Sequence, residues 1–476
     1  MTVTVTQAPP PAALPAVPPR RWWPVLPPVA IVLLLAAPGS GGLGGGGVGG
    51  PGVLTPADLA SGALVLFCLL RLVRTGARPL TWAAVAVFGL PVLAVAVAAV
   101  TAADPGAALP GAVRYLQVFV LVPAAVLLLL RDAADVRAVA AALIALALVQ
   151  GAIGVHQYVT ATGASYRGEN IRAVGTFGPT GVMGMATVVS YGLLAAAALA
   201  LWPPKGAPRW LRPAAAAAAA ALVVPLVLSF SRGAWIATGA ALLALLLLAG
   251  VRAALAVLTA LTALAVVLVG GFGVGSALIG ERLGSITQVT AAPDRSVNDR
   301  YTLWAAAAGM WRDRPLTGVG LKGFPDHRDG HATIGLSAGS DTAGAGHAFH
   351  KQPLLSPHNM YLLILSEQGL IGLTAFATSW GALLARGHHR LRRAVRARDC
   401  GALAVAFALW QSVDFLYADI GGPSTVLTGV VLGLAAWWAL SPSYDGRGVD
   451  GSDPYGTYRT RPLGDSRAVP GGATAA

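Results

Sequence analysis

The chain has 476 residues, of which 55% are hydrophobic and only 11% are charged. Soluble domains carry about 25% charged residues, so this composition excludes an ordinary soluble protein and predicts one that crosses a membrane many times. The net charge of +13 would suit either a nucleic acid or a membrane surface, and its distribution separates the two. The two cysteines, Cys68 and Cys400, are too few for a disulfide framework or a cysteine-based metal site.

Twelve apolar segments follow one another along the chain, each about long enough to cross the hydrocarbon core of a bilayer. They are 23–38, 54–73, 80–102, 111–130, 135–157, 179–201, 212–229, 233–250, 252–273, 358–384, 399–418 and 423–440. We predict an all-α, polytopic membrane domain over 23–441 with about 12 transmembrane helices. The Pro-rich residues 1–22 and the polar residues 442–476 are predicted to be disordered tails.

Basic residues alternate between the connections that join these segments. One set of connections is rich in arginine and lysine, above all 386–398, whereas the alternate set carries almost none. Because cytoplasmic loops carry the excess of basic residues, both termini are predicted to lie in the cytoplasm of a cell-membrane protein. Segment 158–178, the turn 229–234 and a large loop, 274–357, between spans nine and ten are predicted to be extracytoplasmic. The basic run is this topology signal, so it requires no nucleic acid.

Two arginines near predicted helix starts lie on the external side, against this bias. Arg232 stands in a short turn, "LSFSRGAWIA", where the preceding serine is a good N-cap. Arg300 stands in "SVNDRYTLWAAAAGMWRD", where Asn298 or Ser296 can cap a helix over 299–313. Both arginines are therefore predicted to lie in the first turn of a helix that begins outside.

A third external stretch, "SPHNMYLLILSEQGLIGL" (356–373), opens a membrane helix. Ser356 and Pro357 suit the cap and the first helical residue, which predicts His358 in the first turn. Glu367 lies about half-way round that helix from the histidine, at ~100° per residue. Glu367 is therefore predicted to bond another helix rather than to orient His358.

Helix N-termini of this kind favour anions, because they present free N–H groups and a positive dipole end. Arginine adds bidentate recognition of phosphate groups. The same positive surroundings are predicted to lower the pKa of His358, and a neutral imidazole can act as a general base. Plainer alternatives are a snorkelling side chain for Arg232 and a capping or interfacial role for His358.

Further polar residues lie inside the apolar segments. Asp414 and Tyr417 fall in the outer half of span eleven, and Arg114 near the outer end of span four. Polar groups at such depth usually have partners and functions, so an Asp–Arg pair is predicted, with a functional and a structural role both open.

The long loop contains a histidine pair, His327 and His331, at the i, i+4 spacing of a zinc site on a helix. The surrounding Gly, Pro and Asp residues argue against a helix there, so no metal site is predicted, and the loop is interpreted as a lid.

Four pieces of the sequence resemble the O-antigen ligase / O-antigen polymerase superfamily of bacterial membrane glycosyltransferases. They are "RAVGTFGPTGVMG" (172–184), "SRGAW" (231–235), "DRYTLWAAAAGMWRDRPLTGVGLKGF" (299–324) and "PHNMYLLILSEQGLIGL" (357–373). Their order and spacing, the number of spans and the large external loop all fit, over about 110–440. One departure is Thr180, where many relatives carry Asn after the proline.

The resemblance implies a GT-C-like helical fold and roles for several residues. Arg232 and Arg300 would hold the diphosphate of a polyprenyl carrier, and His358 would activate the acceptor or complete the diphosphate site. Arg172 would line the same cavity. Arg114, Asn359, Asp414 and Tyr417 complete the set of candidate substrate-binding residues. The resemblance implies neither a metal nor another cofactor.

We therefore predict a metal-independent membrane glycosyltransferase that acts at the extracytoplasmic face. It would transfer a glycan from an undecaprenyl diphosphate carrier to an acceptor hydroxyl, as a polysaccharide polymerase or a cell-envelope glycan ligase. Its partners would be the lipid-linked donor, a glycan or cell-envelope acceptor and the bilayer. A transporter or flippase for lipid-linked sugars is the alternative, but it should show internal symmetry, and the sequence contains no recognisable repeat.

Overall fold

A computed structural model describes residues 22–37, 55–76, 80–166, 168–266, 295–333, 336, 340–352, 354–394, 396–420 and 424–441. The two predicted tails, apart from Trp22, and the first part of the long loop lie outside the described residues.

The described residues are mostly helical. The helices are α1 (Leu26–Leu34), α2 (Pro56–Thr75), α3 (Trp82–Val100), α4 (Pro105–Leu116), a π-helical turn (Gln117–Leu121), α5 (Val122–Leu129), α6 (Ala133–Val159), α7 (Val182–Leu201), α8 (Leu211–Leu228), α9 (Arg232–Ala249), α10 (Val251–Val266), α11 (Arg295–Asp313), α12 (Phe324–His331), α13 (Met360–Arg393), α14 (Arg398–Asp414) and α15 (Thr425–Leu440), with short 3-10 turns at Gly175–Phe177 and Pro179–Gly181.

Each of the twelve predicted apolar segments contains a helix within the described residues. Eight stretches there are long and apolar enough to cross a membrane, and Thr425–Leu440 is a shorter apolar helix. A membrane protein with many spans is thus supported, while the number twelve and the side on which the long loop lies stay predictions.

A small antiparallel sheet, which the sequence analysis did not predict, adds to the mostly helical architecture. Its strands are β1 (Ala164–Tyr166), β2 (Glu169–Arg172), β3 (Ser340–Gly344) and β4 (His347–Gln352), in the order β2-β1-β3-β4. Ala164 of β1 pairs with Gly344 of β3, which joins two segments that the sequence analysis treated as separate loops. The turn between β3 and β4 consists of Ala345 (φ 50°) and Gly346 (φ 81°), and two positive φ values are what a tight hairpin requires.

Helix α13 differs from the predicted span over 358–384. It begins at Met360 and continues to Arg393, so most of the basic run 386–398 is helical rather than a loop. It is also broken at Gly369, whose φ of 63° and ψ of −160° are not helical. Such angles are accessible almost only to glycine.

The break accepts a short segment of the long loop, 315–320. Four backbone hydrogen bonds join the two: Val319 N to Ser366 O (2.8 Å), Gly320 N to Glu367 O (3.0 Å), Leu370 N to Pro315 O (2.9 Å) and Ile371 N to Leu316 O (3.1 Å). The backbone groups freed by the break are therefore satisfied by the loop, as burial in a membrane protein demands.

An aromatic cluster packs the end of α14 against α13 and the π-helical turn. The rings of Phe119 and Phe376 lie 5.4 Å apart, and those of Trp380 and Phe415 lie 5.5 Å apart. Tyr361 adds a hydrogen bond from its hydroxyl to Ser412 O (2.8 Å). This cluster brings the segment after α14 beside the residues that precede α13.

Candidate functional site

His358 lies immediately before α13 rather than inside it. Its backbone has a φ of 47°, in the left-handed region that other residues than glycine rarely adopt. Asn359 is the N-cap, because its Oδ1 accepts a hydrogen bond from Leu362 N (3.1 Å). The predicted cap at Ser356, with His358 in the first turn, is therefore wrong. Ser356 uses its hydroxyl elsewhere, and a left-handed residue at 358 cannot belong to the helix.

Several contacts hold this strained backbone in place. Trp304 on α11 donates its indole N–H to Pro357 O (2.9 Å), Asn359 donates its side-chain amide to Leu416 O (3.2 Å), and Met360 N donates to Phe415 O (2.8 Å). A left-handed conformation of this kind costs about 1–3 kcal/mol and persists only when its surroundings impose it. Contacts from two other parts of the chain, α11 and the segment after α14, thus fix the backbone on both sides of His358 and so the direction of its side chain.

An acidic residue that the sequence analysis did not single out, Asp419, faces this histidine. Ser356 donates its hydroxyl to Asp419 Oδ2, and His358 Nδ1 lies 3.9 Å from the same oxygen. Asp419 is 10% exposed, whereas the His358 side chain is 43% exposed. The only available signal was a carboxylate in a turn next to an apolar span, which is weak without knowledge of what the turn contacts.

Arg300 and Arg232 approach the same place from two helices. Arg232 opens α9 after the N-cap Ser231, as predicted, with Ala234 N donating to the serine hydroxyl (3.4 Å). Helix α11 begins at Arg295, so the predicted caps at 296 or 298 are wrong and Arg300 lies in the second turn. Good N-cap residues were present, but the helix extends past them.

The pKa of Arg300 indicates which charged side chains lie near it. Burial lowers the pKa of Arg300 most, the positive charge of Arg232 lowers it further, and Tyr417 and Asp414 act in the opposite direction. Like charges in one partly buried region are unfavourable unless other groups compensate. The structure thus places Arg232, Asp414 and Tyr417 near Arg300. His358 also lies near Arg300, since the charge of that arginine acts on the imidazole.

His358 has a lowered pKa, as the sequence analysis predicted. Although part of the side chain is exposed, the protein atoms packed around the ring keep most of the bulk water away, and this desolvation is the largest cause. Asp419 opposes it by favouring the charged imidazolium, and Arg300 lowers the pKa again. The predicted cause was the helix dipole together with arginine, so the direction is right while the largest cause is different. A neutral imidazole at neutral pH follows.

Asp414 and Tyr417 lie at the end of α14, beside the arginine helices. Asp414 is buried and accepts a hydrogen bond at Oδ2 from Gln411 Nε2 (3.3 Å). Tyr417 packs directly on Gly233, where an added Cβ would lie 3.2 Å from the tyrosine Cβ. Even an alanine at 233 would therefore require Tyr417 to shift by a few tenths of an ångström.

Arg172 supports the turn that leads into Arg232. Its Nε donates to Ser229 O (3.0 Å), and Tyr166 stacks on Phe230 with ring centroids 4.9 Å apart. These contacts connect the small sheet to the turn between α8 and α9. They assign Arg172 a supporting contact and leave its predicted cavity-lining role untested.

Arg114 pairs with a different acid from the one predicted. It forms an ion pair with Asp58 on α2 and donates to Gln117 Oε1 (2.9 Å). The predicted Asp–Arg pair with Asp414 is therefore wrong, because the side chain of Arg114 reaches the carboxylate of Asp58 on α2 instead. The substrate-binding role predicted for Arg114 has no support in this contact.

Glu367 bonds another helix, as predicted. Its Oε1 accepts from Phe324 N (3.4 Å) at the start of α12. That helix contains His327 and His331, so the expectation of no helix there is wrong: a proline in the first turn and the carboxylate at its N-terminus both favour helix formation. His327 Nδ1 lies 2.9 Å from Gly323 O and His331 Nε2 lies 3.3 Å from Asp313 Oδ2. Among the described residues, no group of three possible metal ligands occurs.

The comparison with protein families bears on the region that supplies Arg232, Arg300 and His358. The model of the O-antigen ligase family, Wzy_C, matches residues 215–377. The chain resembles O-antigen ligases. This match, which contains three of the four sequence motifs, confirms the predicted resemblance, and it supports a glycosyltransferase-like membrane enzyme of cell-envelope polysaccharide biosynthesis. No curated protein matches this O-antigen ligase-like chain.

Proposed function

We propose that this O-antigen ligase-like protein transfers a glycan from a polyprenyl diphosphate carrier to an acceptor hydroxyl at the extracytoplasmic face. The observation that carries the proposal is the neighbourhood of Arg232 and Arg300, since the charge of one lowers the pKa of the other. A protein that holds two guanidinium groups where the charge of one acts on the other favours a ligand with at least two negative charges. A diphosphate meets that requirement, and each arginine can bind it with two hydrogen bonds.

The chemistry follows from where charge moves during transfer. The acceptor oxygen attacks the anomeric carbon as the bond from that carbon to the diphosphate oxygen breaks, and the electron pair leaves with the diphosphate. Arg232 and Arg300 would stabilise the negative charge that grows on the leaving group. Cationic side chains can do this without a metal ion.

The acceptor hydroxyl must lose its proton during transfer, so the reaction needs a general base. His358 is neutral, partly accessible and next to Arg300, so it suits a general base that takes this proton. The alternative role, in which His358 binds a phosphate oxygen, uses the same position. Asp414, Tyr417 and Asn359 would shape the surrounding walls.

The acceptor decides whether the protein is a polymerase or a ligase of the cell envelope. The distribution of basic residues supports an extracytoplasmic site, with both termini in the cytoplasm. A transporter or flippase of the same lipid-linked sugars would bind the donor but would form no new glycosidic bond.

A transfer assay with purified protein in lipid nanodiscs tests the proposal. The donor is a polyprenyl-diphosphate-linked glycan, the acceptor is the same glycan or an envelope glycan, and product is measured by mass spectrometry. Arg232→Ala and Arg300→Ala should each reduce transfer by roughly 10- to 100-fold or more, since a charge-assisted contact contributes about 1.5–3 kcal/mol. Arg→Lys should restore little, because one ammonium cannot reproduce the bidentate fork.

The matched control is Arg212→Ala. Arg212 is exposed and lies in the first turn of the membrane helix α8, so its loss should leave transfer unchanged. Near-normal transfer by the Arg232 and Arg300 variants would show that both are ordinary interfacial arginines. Donor binding without any product in the unmodified protein would favour the transporter.

A further inference from the structure

We infer that Asp419 is a positioning residue for His358: it attracts the Nδ1 side of the imidazole and so leaves Nε2 for the reacting groups. This inference rests on the proposed function, in which His358 serves the transfer reaction. Asp419 lies beyond residues 215–377, the region that the family model matches.

The first support is geometric. Nδ1 of His358 lies 3.9 Å from Asp419 Oδ2, and the hydroxyl of Ser356 donates to that same oxygen. The separation is longer than a hydrogen bond, so the carboxylate acts on the ring through its charge. Because Ser356 stands two residues before His358, its hydrogen bond also ties Asp419 to the histidine's own backbone segment.

The second support is the way the backbone forces the two groups together. His358 has the left-handed φ of 47°, which turns its side chain away from the direction it would take inside α13. Asn359 and Met360 then bond Leu416 O and Phe415 O, respectively. The segment that carries Asp419 is thus held against the segment that carries His358 by two hydrogen bonds from the residues that directly follow the strained residue, one from the Asn359 side chain and one from the Met360 backbone.

The charges around the imidazole oppose each other. Arg300 approaches from α11 and disfavours the imidazolium, while Asp419 approaches from the segment after α14 and favours it. Within the described residues, these two charged groups act on His358 together with burial. Asp419 therefore moderates the effect of the arginine, so that His358 can accept a proton without becoming too weak a base.

The arrangement also selects a tautomer. A carboxylate beside Nδ1 favours the proton on that nitrogen, which leaves the lone pair on Nε2. The carboxylate then stabilises the imidazolium once Nε2 has taken a proton. The same orientation would apply if Nε2 contacted a phosphate.

The experiment follows the protonation of His358 directly, without turnover. Of the two forms of imidazole, diethyl pyrocarbonate modifies only the neutral one. Peptide mass spectrometry reports the modification of His358 separately from that of other residues, as a function of pH, in purified protein in nanodiscs. Asp419→Asn should lower the midpoint of this profile by about one pH unit, the lower end of what an opposite charge at such a distance produces. Asp419→Glu, which keeps the charge, should shift it less.

The control is Asp329→Asn. Asp329 is an exposed acid whose carboxylate accepts from Arg328, so its loss should leave the His358 profile unchanged. Asp419→Ser supplies a second neutral variant if the asparagine variant does not fold. A profile that is the same in the original protein and in a folded neutral variant overturns the inference.

Transfer activity separates this inference from the proposed function. Asp419→Asn should reduce kcat more than it raises KM for the donor, and Asp419→Glu should restore part of kcat. If the His358 profile shifts while His358→Ala retains full transfer, Asp419 still acts on the histidine and the proposed function fails. If His358→Ala abolishes transfer while Asp419→Asn changes neither profile nor rate, the positioning role fails alone.

Discussion

Replacing Gly369 by alanine should destabilise the protein, because this glycine forms the break in α13. Its φ of 63° and ψ of −160° lie in a region that costs other residues about 1–3 kcal/mol. An added Cβ would also lie 2.3 Å from the carbonyl carbon and oxygen of Leu316 and 2.6 Å from Thr317 N. These are backbone atoms, so a rotation of a side chain cannot relieve the clash.

The clash between an added Cβ at 369 and Leu316 would also weaken hydrogen bonds. Moving Leu316 away would weaken the hydrogen bonds from Leu370 N to Pro315 O and from Ile371 N to Leu316 O, which are 2.9 and 3.1 Å long. Each such bond contributes about 1 kcal/mol. Together with the backbone strain, the expected loss is about 3–5 kcal/mol.

Thermal unfolding of the detergent-purified protein, followed by its intrinsic fluorescence, measures the effect. The same helix offers a matched control in Gly381, where a Cβ would meet nothing within 4 Å. Gly381→Ala should be neutral or stabilise by up to ~1 kcal/mol, the helix preference of alanine over glycine. Equal melting temperatures for the two variants would refute the account of the break.

Four further predictions concern the site and its surroundings. Transfer should fall as the pH drops through the pKa of His358, which lies below its ordinary value of 6.5, because only the neutral base is active; a rate that stays constant across that range contradicts the base role. Among His358 variants, Ala should abolish transfer, and Gln should restore most of it only if the residue binds rather than takes a proton. On intact cells, a membrane-impermeant thiol reagent should label Ser340→Cys but not Ala394→Cys, and labelling of Ala394→Cys alone would place the site on the opposite face. Arg114→Ala should lower the melting temperature by leaving the buried Asp58 without this partner, about 2–3 kcal/mol, and adding Asp58→Asn should recover part of the loss.

The membrane helices could be predicted from the sequence because their apolar composition is local. Segment 54–73, for example, corresponds to α2 at Pro56–Thr75, since a run of apolar residues in a bilayer satisfies its own backbone only as a helix. The helix break at Gly369 could not be predicted in this way. It depends on the docking of 315–320, and a glycine in an apolar run looks the same with or without such a neighbour.

The candidate site likewise combines features that the local sequence predicts with features that depend on contacts between distant segments. The sequence indicated Arg232, Arg300 and His358 because ionisable residues near helix starts are unusual on the side predicted to be external. The structure places these three residues near one another. The cap, however, was predicted at Ser356 and lies at Asn359, since both are good cap residues and the sequence alone does not rank them. In the structure the hydroxyl of Ser356 bonds Asp419, sixty-three positions further along the chain, so it does not cap the helix.

The small sheet has a consequence for how the chain folds as it is synthesised. Strand β1 pairs with β2 nearby but also with β3, and six helices of the described part of the chain, α7 to α12, lie between β2 and β3. Synthesis runs from the N-terminus, and early parts of a chain fold before late ones. The edge of β1 that pairs with β3 therefore stays unpaired while those helices are made and inserted. An unpaired edge is open to wrong partners. We therefore expect closure of this sheet to be a late step in biogenesis, and chains truncated before β3 to associate through that edge.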